Sequence, residues 1–175
     1  MRPLLIRGGR VIDPRHGTDG VRDVLLRDGA VAEVGERLPV DPAAQVIDAA
    51  GRWVVPGLID VHVHLREPGE EGKETVLTGS RAAVAGGFTA VVAMPNTRPP
   101  NDSPQVTELV LARARAADLC RVYPAGAISK GLAGEELAEM GELRAAGCVC
   151  FTDDGRPVMS ASLMRRALLY ARPLG

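Results

Sequence analysis

Two rhythms of apolar and polar residues divide the chain. Over residues 4–55, short apolar runs alternate with tight turns. Runs at 4–6 and 10–12 flank Gly8-Gly9, runs at 22–27 and 30–34 flank Asp28-Gly29, and runs at 45–48 and 52–55 flank Ala49-Ala50-Gly51. Asp-Gly between two such runs predicts a two-residue hairpin, because both central positions take positive φ. Residues 1–55 are therefore expected to form a small antiparallel β unit with little core of its own.

From Pro56 the rhythm becomes strand, helix, strand, helix. Strands are predicted at 58–65, 88–94, 121–127 (interrupted by Pro124) and 148–152. Helices are predicted at 75–85, stopped by Gly86-Gly87, and after a cap at Asp102 or Ser103, with Pro104 in the first turn. Two more are predicted at 134–146, closed by Gly147, and at 160–171, with Leu163, Met164, Ala167, Leu168 and Ala171 on one face. Four alternating strand and helix units over 56–175 imply a parallel sheet with right-handed crossovers, an α/β architecture. His62, His64, Asn96, Asp153 and Asp154 all fall at carboxyl ends of these strands. That edge is where open α/β sheets and (β/α)8 barrels build their sites.

Composition narrows the picture. With 21 basic and 22 acidic residues the net charge is −1, so no bulk charge draws nucleic acid or an anionic membrane. No apolar run approaches the ~18 residues of a membrane helix, and the first ten residues are too short of apolar length for a signal peptide. Cys120, Cys148 and Cys150 are odd in number and lack zinc-ribbon spacing, so they are expected as reduced thiols packed in a strand-rich core. A cytoplasmic location follows. Lys73 and Lys130 are the chain's two lysines. The 175 residues fall short of the ~200 or more that a complete (β/α)8 barrel needs.

Asp60-Val-His62-Val-His64-Leu-Arg66-Glu-Pro-Gly69 carries the strongest chemical signal. A two-residue strand period points Asp60, His62 and His64 to one face, with Arg66 beyond. Two imidazoles one pitch apart can share a divalent ion, and the Arg fork suits a carboxylate. His62 and His64 are also two of the chain's three histidines, the third being His16 in a solvated loop of the β unit. Met94-Pro-Asn96-Thr-Arg98 places an amide able to bond a polar substrate at the next strand end, where, taken alone, it reads first as a residue of a Pro-rich turn. Phe151-Thr-Asp153-Asp154-Gly155 offers a carboxylate able to bridge metal ions, or a helix-entry cap.

With these motifs the sequence resembles the dihydroorotases of the amidohydrolase superfamily, in the bacterial type with Asp at the metal bridge. The matching text is PGLIDVHVHLREPG at 56–69, KET at 73–75, GGFTAVVAMPNTRP at 86–99 and FTDDG at 151–155. The resemblance implies His62, His64 and Asp154 as zinc ligands, for one or two ions per complete site. It implies Arg66 and Asn96, together with His64, as the groups that meet the substrate. Neither Lys73 nor Lys130 falls at the bridge position, which disfavours a carbamylated lysine there. The implied reaction interconverts N-carbamoyl-L-aspartate and (S)-dihydroorotate in pyrimidine biosynthesis.

The same resemblance implies an incomplete TIM-type (β/α)8 barrel: its first four βα units at 56–175, preceded by a β-sandwich portion at 1–55. The further ligands and the proton-transfer Asp of the family are expected beyond Gly175, so the chain reads as an N-terminal portion, inactive alone. Its fourth strand would be an open edge. A homodimer and an association with aspartate transcarbamoylase are the assemblies left open. Two other functions also stay open: a hydantoinase- or allantoinase-type cyclic amidohydrolase, and a non-catalytic dihydroorotase-like subunit.

Overall fold

A computed structural model describes residues 2–175. Asp28 and Gly29 take φ of 51° and 79°, which closes a hairpin between β2 (Thr18–Arg27) and β3 (Ala30–Gly35). The first 56 residues form one compact unit and Gly57–Gly175 a second. In the first unit, β1 (Leu4–Asp13) is one continuous strand rather than two short ones. A register shift between Ile6 and Gly9 marks a bulge, and Gly8 has φ of 70°.

This unit corrects the antiparallel expectation. β1, β2 and β3 pair antiparallel, but β4 (Gln45–Asp48) and β5 (Trp53–Val54) both run parallel to β1. The reason lies in residues 36–44. Leu38 is buried against Leu5 and Leu25, so the chain crosses the sheet face before it pairs again. Buried Asp23 holds both features in place: it accepts from Gly8 N in the bulge at 2.8 Å and from Leu38 N in the crossing at 3.0 Å.

The second unit contains β6 (Leu58–Val63), α1 (Val76–Ala85), β7 (Phe88–Ala93), α2 (Pro104–Ala117), β8 (Arg121–Gly126), α3 (Met140–Ala146), β9 (Cys150–Phe151) and α4 (Ala161–Ala171). Its strands pair in parallel in the order β6-β7-β8-β9. Val76, Val91, Val110 and Val122 meet Leu65 and Ala93 in the core between strands and helices. Each valine or leucine among them contributes on the order of 1.5–3 kcal/mol by leaving water. A reciprocal cap starts α1: Thr75 Oγ1 accepts from Thr78 N at 3.1 Å, and Thr78 Oγ1 accepts from Thr75 N at 3.0 Å. No helix among the described residues is long and apolar enough to cross a membrane.

Two expectations fail here for local reasons. The helix expected over 134–146 begins at Met140, because Gly134 takes φ of 71° and the next residues fold back. Lys130 N donates to Glu136 O and Ala138 N to Ile128 O, both at 2.9 Å, which commits that backbone to a loop. The cysteines also separate. Cys148 is fully buried, while Cys150 is exposed, because β9 is short and lies at the end of the strand order.

Candidate metal centre and anion cleft

β6 ends at Val63, so His62 leaves the strand near its tip and His64 lies just past it. A register shift between Asp60 and Val63 breaks the pleat there. Asp60 consequently takes no part in the cluster; its Oδ1 accepts from His62 N at 3.0 Å. Asp154 arrives from the turn after β9. His62 Nε2 stands 3.2 Å from Asp154 Oδ1, and His64 Nε2 stands 3.6 Å from Asp154 Oδ2. The ligand atoms of these three residues all lie within 4.8 Å of one another.

This donor set suits a divalent ion. Ligand atoms about 2.0–2.2 Å from a tetrahedral zinc lie about 3.3–3.6 Å from each other, close to the two separations observed. The hydrogen bonds agree. Asn96 Nδ2 donates to Asp154 Oδ2 at 3.0 Å, which turns Asn96 Oδ1 toward His64 Nδ1, also at 3.0 Å. His64 Nδ1 must then carry the proton, an assignment made from the network. In the neutral tautomer the lone pair lies on Nε2, facing a carboxylate oxygen, an arrangement that a cation would bridge.

Beside the cluster lies a cleft of about 400 Å³, lined by Arg66, Lys73, Arg98 and Arg156 with Glu70, Asn96 and Asp154. Four basic groups face two acidic ones, although the whole chain is nearly neutral. Arg66 takes φ of 60°, a left-handed conformation that costs a non-glycine residue about 1–2 kcal/mol. Glu70 helps to hold it. Its N–H donates to Arg66 O at 2.9 Å, and its carboxylate lies 3.6 Å from Arg66, 2.6 Å from Lys73 and 3.6 Å from Arg98. The hydrogen bond from Lys73 is the main cause holding the Glu70 carboxyl below its ordinary value, against a smaller desolvation effect. Glu67 anchors the same loop, accepting from Val76 N at 2.9 Å and pairing with Arg113 at 2.9 Å. Arg98 N donates to Pro68 O at 2.9 Å, and a Cβ on Gly69 would strike the Arg98 carbonyl.

Asp153, next to Asp154, faces away from the cleft and is buried. It accepts from Ile128 N at 2.8 Å, from Ser129 N at 3.0 Å and from Ser129 Oγ. His16 stays on the surface, 2.6 Å from Asp13.

The family model described as "Dihydro-orotase-like" matches residues 51–174. The chain belongs to this dihydro-orotase-like family. A protein named Dihydroorotase from Anaeromyxobacter dehalogenans is 70% identical over 98% of this chain and 40% of its own length. One of the same name from Geobacter sulfurreducens is 57% identical over the same shares. The chain thus spans about 40% of the length of these curated relatives. Among solved structures, an L-hydantoinase from Arthrobacter aurescens superposes with a TM-score of 0.79 at 22% identity, over 99% of this chain and 39% of that one. A D-hydantoinase from Thermus sp. gives 0.65 at 31% identity, over 81% and 30%. The chain thus shares the fold of these hydantoinases over the lengths covered.

Within this family member, sequence reasoning passed over Glu67, Glu70 and the anchoring use of Asp153. Acid and base spaced three and four apart at Arg66, Glu70 and Lys73 was the available signal for the second. Backbone donors reaching Asp153 from Ile128 and Ser129 leave no such trace.

Proposed function

We propose that the chain carries the amino-terminal part of a dihydroorotase, a cyclic amidohydrolase that interconverts N-carbamoyl-L-aspartate and (S)-dihydroorotate in pyrimidine biosynthesis. The observation that carries this reading is the meeting of His62, His64 and Asp154 beside a cleft rich in arginine. In this reading the parallel unit supplies the first four βα units of a (β/α)8 barrel, with residues 1–55 as part of a β-sandwich. The protein works in the cytoplasm.

His62, His64 and Asp154 would hold zinc, one or two ions in the complete site. A divalent ion in such a site supplies Lewis acidity to an amide carbonyl and acidifies water. The chain's own residues bind and orient. Arg66 presents its fork to the substrate carboxylate, and the 3.6 Å separation from Glu70 leaves that fork's hydrogen bonds available. Asn96 keeps one N–H and one lone pair for substrate beyond the bonds already made. Lys73, Arg98 and Arg156 raise the local concentration of a dianion such as carbamoyl-aspartate. This reading assigns no proton-transfer carboxylate among residues 1–175.

The hydantoinase likeness supports a related cyclic amide as the second reading. Turnover of dihydroorotate, hydantoin and dihydropyrimidine by the zinc-loaded full-length protein separates the two. Preference for dihydroorotate is expected; preference for an uncharged ring would favour the hydantoinase reading, and inactivity toward all three would overturn both.

A further inference from the structure

We infer that Asn96 is a positioning residue for the metal centre, clamping His64 and Asp154 into one ligand geometry. The inference rests on the metal reading above and goes beyond the substrate contact assigned to Asn96. Its side chain, at the end of β7, bridges residues from beyond β6 and beyond β9. Nδ2 donates to Asp154 Oδ2 and Oδ1 accepts from His64 Nδ1, each at 3.0 Å.

The two bonds do different work. The bond to His64 selects the tautomer with a free Nε2, the nitrogen that faces Asp154. Without it, a neutral imidazole can place its proton on Nε2 and turn a donor into the ligand position. The bond to Asp154 orients Oδ2 and leaves Oδ1 toward His62. The amide cannot be reversed without setting its oxygen against the carboxylate. Asn96 therefore fixes both ligands with one planar group. Outer partners of this kind change metal affinity by about 10–100-fold.

The test is zinc affinity of the demetallated full-length protein, read by competition with a chromogenic chelator, for wild type, Asn96→Ala and Arg66→Ala. Asn96→Ala is expected to weaken zinc about 10–100-fold while Arg66→Ala leaves it unchanged. Equal affinity of Asn96→Ala and wild type would overturn the clamp and leave the metal reading standing. Failure of the wild type to bind zinc would overturn the metal reading and the clamp with it. A second readout uses long-range proton–nitrogen NMR of His64 in the metal-free protein. The Nδ1-protonated tautomer is expected in wild type and is expected to be lost in Asn96→Ala. An Nε2-protonated ring in wild type would overturn the inference even if every variant folds.

Discussion

His62 Nε2 and Asp154 Oδ1 stand 3.2 Å apart, although they come from the ends of the first and fourth strands in a four-strand order. In a flat sheet, three spacings of about 4.8 Å would hold those strands about 14 Å apart. Asp154 lies three residues past β9, and those residues can cover up to ~10 Å of that gap. The turn after β9 carries the carboxylate back across the strand ends to the two imidazoles.

Removing one arm of that cluster is expected to lower zinc binding. His62→Ala and Asp154→Ala should each weaken zinc affinity by more than the ~10–100-fold typical of losing an outer partner. Elemental analysis after equilibrium dialysis measures it, and undiminished zinc in both variants would remove these residues as ligands.

Arg66→Ala is expected to reduce kcat/KM for carbamoyl-aspartate by about 2 kcal/mol, or ~30-fold, the low end for a partly buried charge pair. The loss should appear in KM if the guanidinium holds the substrate in ground and transition states alike. An unaltered kcat/KM would remove Arg66 from the substrate contact.

Glu70 sets a pH dependence with a definite sign. Its folded-state value is depressed, first by Lys73 and then with help from Arg98 and Arg66. The carboxylate thus stabilises the fold at pH above its ordinary value, and that contribution is lost as pH falls through the lower folded one. Thermal midpoints from about pH 7 to about pH 3 should fall less steeply for Glu70→Gln than for wild type. Parallel curves would show that the pairing contributes nothing to stability.

Asp153→Ala leaves three donors from Ile128 and Ser129 without their acceptor in a buried site. The expected cost is about 3 kcal/mol, lowering Tm by about 10 °C. Asp154→Ala should change Tm far less in the zinc-free protein, so calorimetry of the pair distinguishes anchor from ligand.

The parallel unit was legible because its strands and helices follow strong local periods, and turn glycines such as Gly86 and Gly147 stand where helices stop. The proximity of His62 to His64 was legible from a strand's pitch. The approach of Asp154 was not a matter of spacing, since it depends on how the turn after β9 returns across the strand ends. The parallel placement of β4 and β5 depended on Leu38 finding a pocket across the sheet. The late start of α3 depended on backbone bonds to Ile128 and Lys130. Each is a contact outside the local period that outweighs a local preference, and a residue pattern records only the preference.

The adjacency of Asp153 and Asp154 has a consequence for how the chain is indexed. One carboxylate is committed to buried backbone donors and its neighbour to the ligand cluster, so the dipeptide fits in a single phase. A slip of one residue after β9 would strand the donors of Ile128 and Ser129 and move the wrong acid into the cluster. A deletion or insertion anywhere between Gly147 and Asp153 is thus a frame error in three dimensions. The double acid works as a ratchet tooth, admitting one alignment of the last strand and rejecting its nearest alternatives.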